Sequence, residues 1–232
     1  MILSRLMLNP RSREAMRDLA NCQELHRTIL SAFSQSPQSA PRGNFGILFR
    51  VEYSEGRGPE VLVQSKEMPQ WRSLPASYIC SPAESKDISH AWDAIAEGAV
   101  FGFRLRANPT RKIETKSGAD RTRRNGKRVE LKTEQQQLNW LTRKGANGGF
   151  EIVYVRTATE VPDVRLRDEG KTRGFRSPTG GTDGKHRMTF ASVLFEGRLR
   201  VTDAEQFRAT LAQGLGSAKA YGFGLLSIAP AG

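Results

Sequence analysis

Of the three histidines in the chain, His26 alone falls in a stretch that reads as a helix. An imidazole titrates near neutrality, so it can take up or deliver a proton at ordinary pH. His26 stands one turn after Gln23 and beside Arg27, on a face flanking the apolar positions Cys22, Leu25, Ile29, Ala32 and Phe33. A purely structural histidine fits such a position. So does a catalytic one, because RNA carries its own nucleophile: a 2′-hydroxyl attacks the adjacent phosphate when a neutral-range group moves a proton and cations stabilise the developing charge. His90, in a polar stretch, and His186, between Lys185 and Arg187, read instead as solvent-facing or phosphate-contacting groups.

The cations that such chemistry needs are concentrated in the second half. Residues 1–95 hold 11 Lys and Arg against 10 Asp and Glu, whereas residues 96–232 hold 25 against 14. Two connecting segments are richest. Residues 104–132 contain Arg104, Arg106, Arg111, Lys112, Arg121, Arg123, Arg124, Lys127 and Arg128, and residues 165–187 contain Arg165, Arg167, Lys171, Lys185 and Arg187. Neither has the apolar content to bury itself, so both read as loops, either merely solvated or ordered on a charged ligand. Their density of charge points to phosphate backbones. An RNA stem, read mainly through backbone and shape, suits them better than a single strand, since aromatic residues are scarce there.

A third segment, QGLGSAKAYGFGLLS at 213–227, sets Gly214, Gly216, Ser217 and Lys219 close together. It reads either as a phosphate cradle or as glycine bulges at a strand entrance. It lacks the spacing of a nucleotide-triphosphate loop. No close pair of carboxylates or His/Asp cluster in the basic half suggests a metal site, and no cofactor is expected.

These groups must be positioned by a regular framework. Ile2–Leu8 reads as a strand ended by Asn9-Pro10. Asn21 followed by Glu24 has capping-box spacing for the helix that carries His26. From Phe45 to Tyr53 the period becomes two, with Phe45, Ile47, Phe49, Val51 and Tyr53 on one face and Arg50 and Glu52 on the other, as in a half-buried strand. A second strand at Glu60–Ser65, a helical turn near Pro69–Leu74 and a strand near Tyr78–Cys80 complete a β-α-β-β-α-β unit. The same order recurs after a polar link. Strands are expected at Ala99–Ala107, Phe150–Arg156, His186–Leu199 and Gly222–Ile228, with helices at Glu134–Lys144, carrying Leu138 and Leu141 on one face, and at Asp203–Gln213. The expected fold is α+β: two ferredoxin-like domains in tandem with antiparallel sheets, at residues 1–85 and 96–232, joined by residues 86–95.

The chain of 232 residues is 38% hydrophobic and 26% charged with a formal net charge of +12, the composition of an ordinary folded protein with a polyanionic partner. Its two cysteines, Cys22 and Cys80, are too few for a disulfide framework and are expected reduced and half-buried. No apolar run reaches membrane-span length and no cleavable leader is evident, so a cytoplasmic protein is expected.

Several segments, in order along nearly the whole chain, resemble the CasE family, the CRISPR repeat-processing endoribonucleases of type I-E systems. They are LSRLMLNP at the start, DLANCQELH ending at His26, RLRANPTRK at 104–112, QLNWLTRK at 137–144, FEGRL at 195–199 and the terminal QGLGSAKAYGFGLLSIAP. The resemblance implies tandem ferredoxin-like domains and one metal-independent cut at the base of a repeat stem-loop. It further implies a 5′-hydroxyl and a 2′,3′-cyclic phosphate or 3′-phosphate as product ends, and residence on the guide RNA as a Cascade subunit. His26 matches the family's catalytic histidine, and the glycine-rich loop with Lys219 matches its loop near the RNA. Gln23 stands where members usually carry tyrosine. An amide hydrogen-bonds but does not relay a proton as a phenol does, which implies a positioning role for Gln23 and slower cleavage. The alternatives are a catalytically silent RNA-binding subunit of the same superfamily or, at greater distance, a general basic nucleic-acid protein.

Overall fold

Buried and half-buried side chains alternate along Ile2–Met7 (β1), the pattern of a central strand with one face on a core. The computed structural model, which describes residues 1–33, 46–53, 56, 58–117, 123–156, 159–176 and 186–231, pairs β1 antiparallel with two neighbours. After β1 come helices α1 (Arg13–Ala20) and α2 (Cys22–Leu30), then β2 (Leu48–Glu52), β3 (Glu60–Ser65) and β4 (Glu84–Asp87), in the sheet order β2-β3-β1-β4. Leu6, Leu8, Phe49, Val51, Val61 and Val63 of this sheet pack against Ala15, Leu25 and Ile29 of the two helices.

The second unit repeats the plan with insertions. A short helix α3 (Ser89–Asp93) leads to β5 (Val100–Ala107), followed by β6 (Thr110–Ser117), β7 (Arg123–Glu130), α4 (Glu134–Ala146), β8 (Phe150–Ile152), β9 (Tyr154–Arg156) and β10 (Glu160–Pro162). The unit ends with β11 (Val164–Arg176), β12 (His186–Val201), α5 (Ala204–Gln213) and β13 (Leu226–Pro230). Its sheet runs β11-β12-β5-β13, with β8 on the far end of β12. Both sheets are antiparallel throughout, so the fold is tandem ferredoxin-like. Phe103, Leu105, Val193, Phe195 and Leu199 form the second core with Trp140 and Leu141 of α4 and Phe207 and Leu211 of α5.

Several expectations need correction. The helical turn expected near Pro69–Leu74 is present as a 3-10 turn, Trp71–Ser73, but the strand closing the first sheet is β4, whereas Tyr78–Cys80 contributes only the bridge Leu8↔Ile79. The cause is Tyr78, whose side chain is buried beneath α1 and α2. Its hydroxyl donates to Asp18 Oδ2 at 3.0 Å, and Thr28 of α2 donates to the same oxygen at 2.6 Å. The two basic segments are not simple loops: β6 and β7 form a hairpin of their own, and β11 and β12 are long strands that carry the second basic segment. The buried stripe of α4 is Gln137, Trp140, Leu141 and Gly145 rather than Leu138 with Leu141. The last strand starts at Leu226, because Gly222 and Gly224 before it have left-handed backbones, φ 86° and 84°. Cys22 is buried and Cys80 exposed; neither is half-buried. Among the described residues no helix is long and apolar enough to cross a membrane.

β2 is buried on both faces, not one, because its second face lies on the other domain. Arg50 is 2% exposed. It donates across the interface to the carbonyl oxygens of Arg104 at 3.1 Å and Leu225 at 3.0 Å, and within its own strand to Glu52 Oε1 at 2.8 Å. Burial pulls its pKa down, opposed chiefly by the carboxylate of Glu52. Nearby, the buried Gln64 side chain donates to Leu211 O at 2.8 Å, again between domains. Replacing Arg50 with alanine would remove the donor to the buried Leu225 carbonyl and to the Arg104 carbonyl and leave Glu52 with Arg104 as its partner, a loss expected to lower stability by about 3 kcal/mol. Urea denaturation checks this; a loss under about 0.5 kcal/mol, the size of a surface change, would contradict it.

Candidate active site

Asn21 caps α2 by accepting the Gln23 N–H at 3.2 Å. The expected partnership with Glu24 does not form; Glu24 instead pairs with Arg27 at 3.3 Å. The same Asn21 amide oxygen accepts the Phe175 N–H of β11 at 3.1 Å, so the start of the helix is tied to the second domain. That approach requires a glycine at 174, where a Cβ would stand 2.7 Å from the buried Cys22 sulfur. Burial raises the Cys22 thiol to a pKa of about 11 and keeps it protonated.

With α2 so held, the half-buried ring of His26 lies over Phe49 of β2, centroids 6.5 Å apart and 17° between planes. Edge-on to it, at 6.2 Å and 66°, is Tyr221 of the second domain. Tyr221 in turn stacks on Phe190 of β12 at 5.0 Å, and Phe190 meets Phe223 at 6.0 Å. These offset and edge-on geometries are the ones that ring quadrupoles favour. Tyr221 ends a single 3-10 turn, Lys219–Tyr221, between two left-handed residues, Ala218 (φ 61°) and Gly222. A Cβ on Gly222 would come within 3.2 Å of the Phe49 ring, which is why the turn can pass so close to His26.

The remaining glycines of this segment serve packing. A side chain at Gly214 would strike Gly224 O and Leu48, and one at Gly216 would strike Trp140. Lys219 donates to Gln213 O at 2.7 Å at the C-terminal end of α5, a favourable place for a cation. Ser217 donates to Asn108 O at 3.2 Å and lies 3.4 Å from Thr110 Oγ1, linking the turn to the root of the β6–β7 hairpin.

The expected RNA-binding cations separate into two groups. Arg104 is bound to Glu52 of the other sheet at 2.9 Å and to Glu196 of its own at 2.7 Å, and Arg106 to Glu169 of its own sheet at 2.6 Å. Arg167 also approaches Glu169, at 3.4 Å, and Lys171 is paired with Glu130 of β7. By contrast Arg111 and Lys112 on β6, Lys127 and Arg128 on β7, Arg165 on β11 and Arg187 on β12 are exposed. Arg121 and Lys185 lie outside the described residues, as do the side chains of Arg123 and Arg124. His90 is exposed on α3. Gln23 is half-buried on the same helix as His26.

The aromatic setting of His26 was missed by sequence reasoning, although Tyr221 stands inside the segment singled out for its glycines. Also missed was a cleft of about 360 Å³ between the domains, reached by Cys22 and Leu25 of α2, Arg106, Glu169, Lys171, Arg173 and Ser192 of the second sheet, and Tyr221. On its wall Glu169 accepts hydrogen bonds from Arg106 and from Ser192, the latter at 3.0 Å. Burial by itself would raise this carboxyl group's pKa, but the hydrogen bonds and charges of Arg106, Ser192 and Arg167 outweigh it and the net shift is downward.

The fold and this arrangement define a tandem ferredoxin-like protein with a half-buried histidine against an aromatic residue of the second domain and exposed cations on β6, β7, β11 and β12. The family model described as CRISPR associated protein matches residues 1–230, and the chain belongs to that family, in its CasE branch. It is 38% identical to the CRISPR-associated endoribonuclease Cse3 of Thermus thermophilus over 99% of this chain and 100% of that one. It is 31% identical to the CRISPR system Cascade subunit CasE of Escherichia coli K12, with the same shares covered. Among solved structures, Thermus thermophilus Cse3 bound to an RNA representing a pre-cleavage complex superposes with a TM-score of 0.75 at 36% identity, covering 99% of this chain and 98% of that chain.

Because the Glu169 carboxyl is depressed in the folded state, its contribution to stability is present above the unfolded carboxyl range, near pH ~4.3, and is lost as pH falls through the lower folded value. Glu169→Gln is expected to flatten the fall in stability as pH drops below about 4.3, measured by urea midpoints. An unchanged slope would contradict this assignment.

Proposed function

We propose that the protein is a metal-independent endoribonuclease that binds the repeat hairpins of a CRISPR precursor transcript, cuts once at the base of each stem, and stays on the mature guide RNA as a subunit of a Cascade complex in the cytoplasm. The observation that carries this reading is the seating of His26, from the first domain, against Tyr221 of the second, beside strands that carry the exposed cations. The two relatives bear names of an endoribonuclease and of a Cascade subunit, and the superposed structure holds a pre-cleavage RNA.

In the reaction the 2′-hydroxyl loses its proton and its oxygen bonds to phosphorus. The bond from phosphorus to the 5′-oxygen breaks, and that oxygen takes up a proton. The ends are a 2′,3′-cyclic phosphate, open to hydrolysis to a 3′-phosphate, and a 5′-hydroxyl. His26 moves a proton at one of these oxygens, and Gln23, one turn earlier on α2, orients the 2′-hydroxyl or the phosphate through its amide. No metal is required for this route, since the nucleophile belongs to the substrate.

Purified protein with repeat RNA in EDTA is expected to give one discrete cut, and His26→Ala to slow it at least about 100-fold while binding persists. Tight binding with no product from the unaltered protein would identify a silent RNA-binding subunit instead, and equal affinity for an unrelated hairpin would identify a general basic nucleic-acid protein. Removing one exposed cation, as in Lys127→Ala, is expected to weaken binding and lower the slope of log affinity against log salt by about one. An unchanged slope would take that residue out of the RNA contact.

A further inference from the structure

The cleft between the domains has no part in the chemistry described so far, yet it shares Tyr221 with His26. Its volume, about 360 Å³, lies at the lower end of sites that enclose a small organic molecule. That is far too small for a helix and suited to one nucleotide. Its inner wall is charge-balanced, because Glu169 is paired with Arg106 beside it and accepts a hydrogen bond from Ser192. Arg106, Glu169 and Ser192 line it with side chains that are half-buried or buried, whereas Arg173 and Lys171, the latter also paired with Glu130, are exposed. A neutral, hydrogen-bonding interior with cations at its rim suits a nucleotide that enters with its base inward and its phosphate beside Lys171 and Arg173. Tyr221 and Tyr53 add aromatic surface for stacking, and Tyr53 is 66% exposed.

We propose that this cleft receives a single unpaired ribonucleotide next to the scissile phosphate, its base against Tyr221 and its backbone against Lys171 and Arg173. Drawing one nucleotide out of the stack beside the cut would swing the neighbouring ribose and phosphate toward His26, whose ring meets the same tyrosine edge-on at 6.2 Å. Enzymes that act within paired nucleic acid commonly meet the cost of extruding a residue with such a pocket. The inference rests on the reading of His26 as the cleavage centre.

The test is a scan of repeat RNAs in which each of the two nucleotides on either side of the cut is made abasic in turn. One position is expected to slow cleavage by the wild-type protein about tenfold or more, the scale of a lost base-stacking contact. Because the scan alters only the RNA, no folding defect can imitate its result. Ala20→Trp, which places an indole at an exposed position in the cleft lining, should slow cleavage of unmodified RNA by a similar factor and add nothing on the sensitive abasic RNA. Full-rate cleavage of every abasic RNA, or multiplication of the two effects, would overturn the proposal. If that happens while His26→Ala is inactive, only the nucleotide seat is lost; if His26→Ala cuts normally, the cleavage centre itself has been misassigned.

Discussion

Arg50 is the constraint on which the rest of the structure depends. A guanidinium buried where the two sheets meet must find partners for its donors, and it finds them in Glu52 of its own strand and in two carbonyls of the other domain. A charge taken out of water tolerates little displacement of those partners, so the relative placement of the domains is set locally and strictly. Apolar residues alone would bury similar area but tolerate sliding. The second line of pairs, Glu52 with Arg104 and Arg104 with Glu196, extends the same alignment along the strands.

Because the domains are held in register, a centre made from both of them is possible. His26 comes from residue 26 and Tyr221 from near the other end of the chain, yet their rings meet at 6.2 Å. Phe49 lies next to Arg50 on β2, so the residue that locks the interface is the neighbour of the residue under the imidazole. The start of α2 is held separately through Asn21 and β11, and its middle through Thr28 and Asp18. Helix, strand and glycine-rich turn are thus each fixed by different interactions, and the imidazole is placed by all three.

Much of this was legible in the residues. Period-two stretches such as the 45–53 and 100–107 regions located strands, and Asp203 as a helix-opening residue located α5, since local pattern decides those elements. His26 was legible as a residue type on a helix, but its surroundings were not, because contacts between residues so distant in sequence leave no periodic trace. The basic segments were read as loops because composition hid the pairing: Lys and Arg occupy both faces of β6 and β7, so no apolar alternation marks them as strands, and in β11 the alternation of Val164 and Leu166 with Arg165 and Arg167 is too short to stand out. The same blindness applies to Arg104 and Arg106. Their charge suggested phosphate, and only the fold reveals that Glu52, Glu196 and Glu169 already face them. Arg50 was assigned to the solvent side of β2 for an equivalent reason, since an interface with another domain looks polar in sequence.

The account stands or falls on the RNA supplying the nucleophile to a histidine presented at the domain junction. The direct measurement is cleavage of a repeat RNA carrying one 2′-deoxy nucleotide immediately 5′ of the cut, under single-turnover conditions. The account predicts unchanged affinity and no cleavage at that bond. Cleavage at the rate of the all-ribose RNA would contradict it, because the attacking oxygen would then have to come from elsewhere.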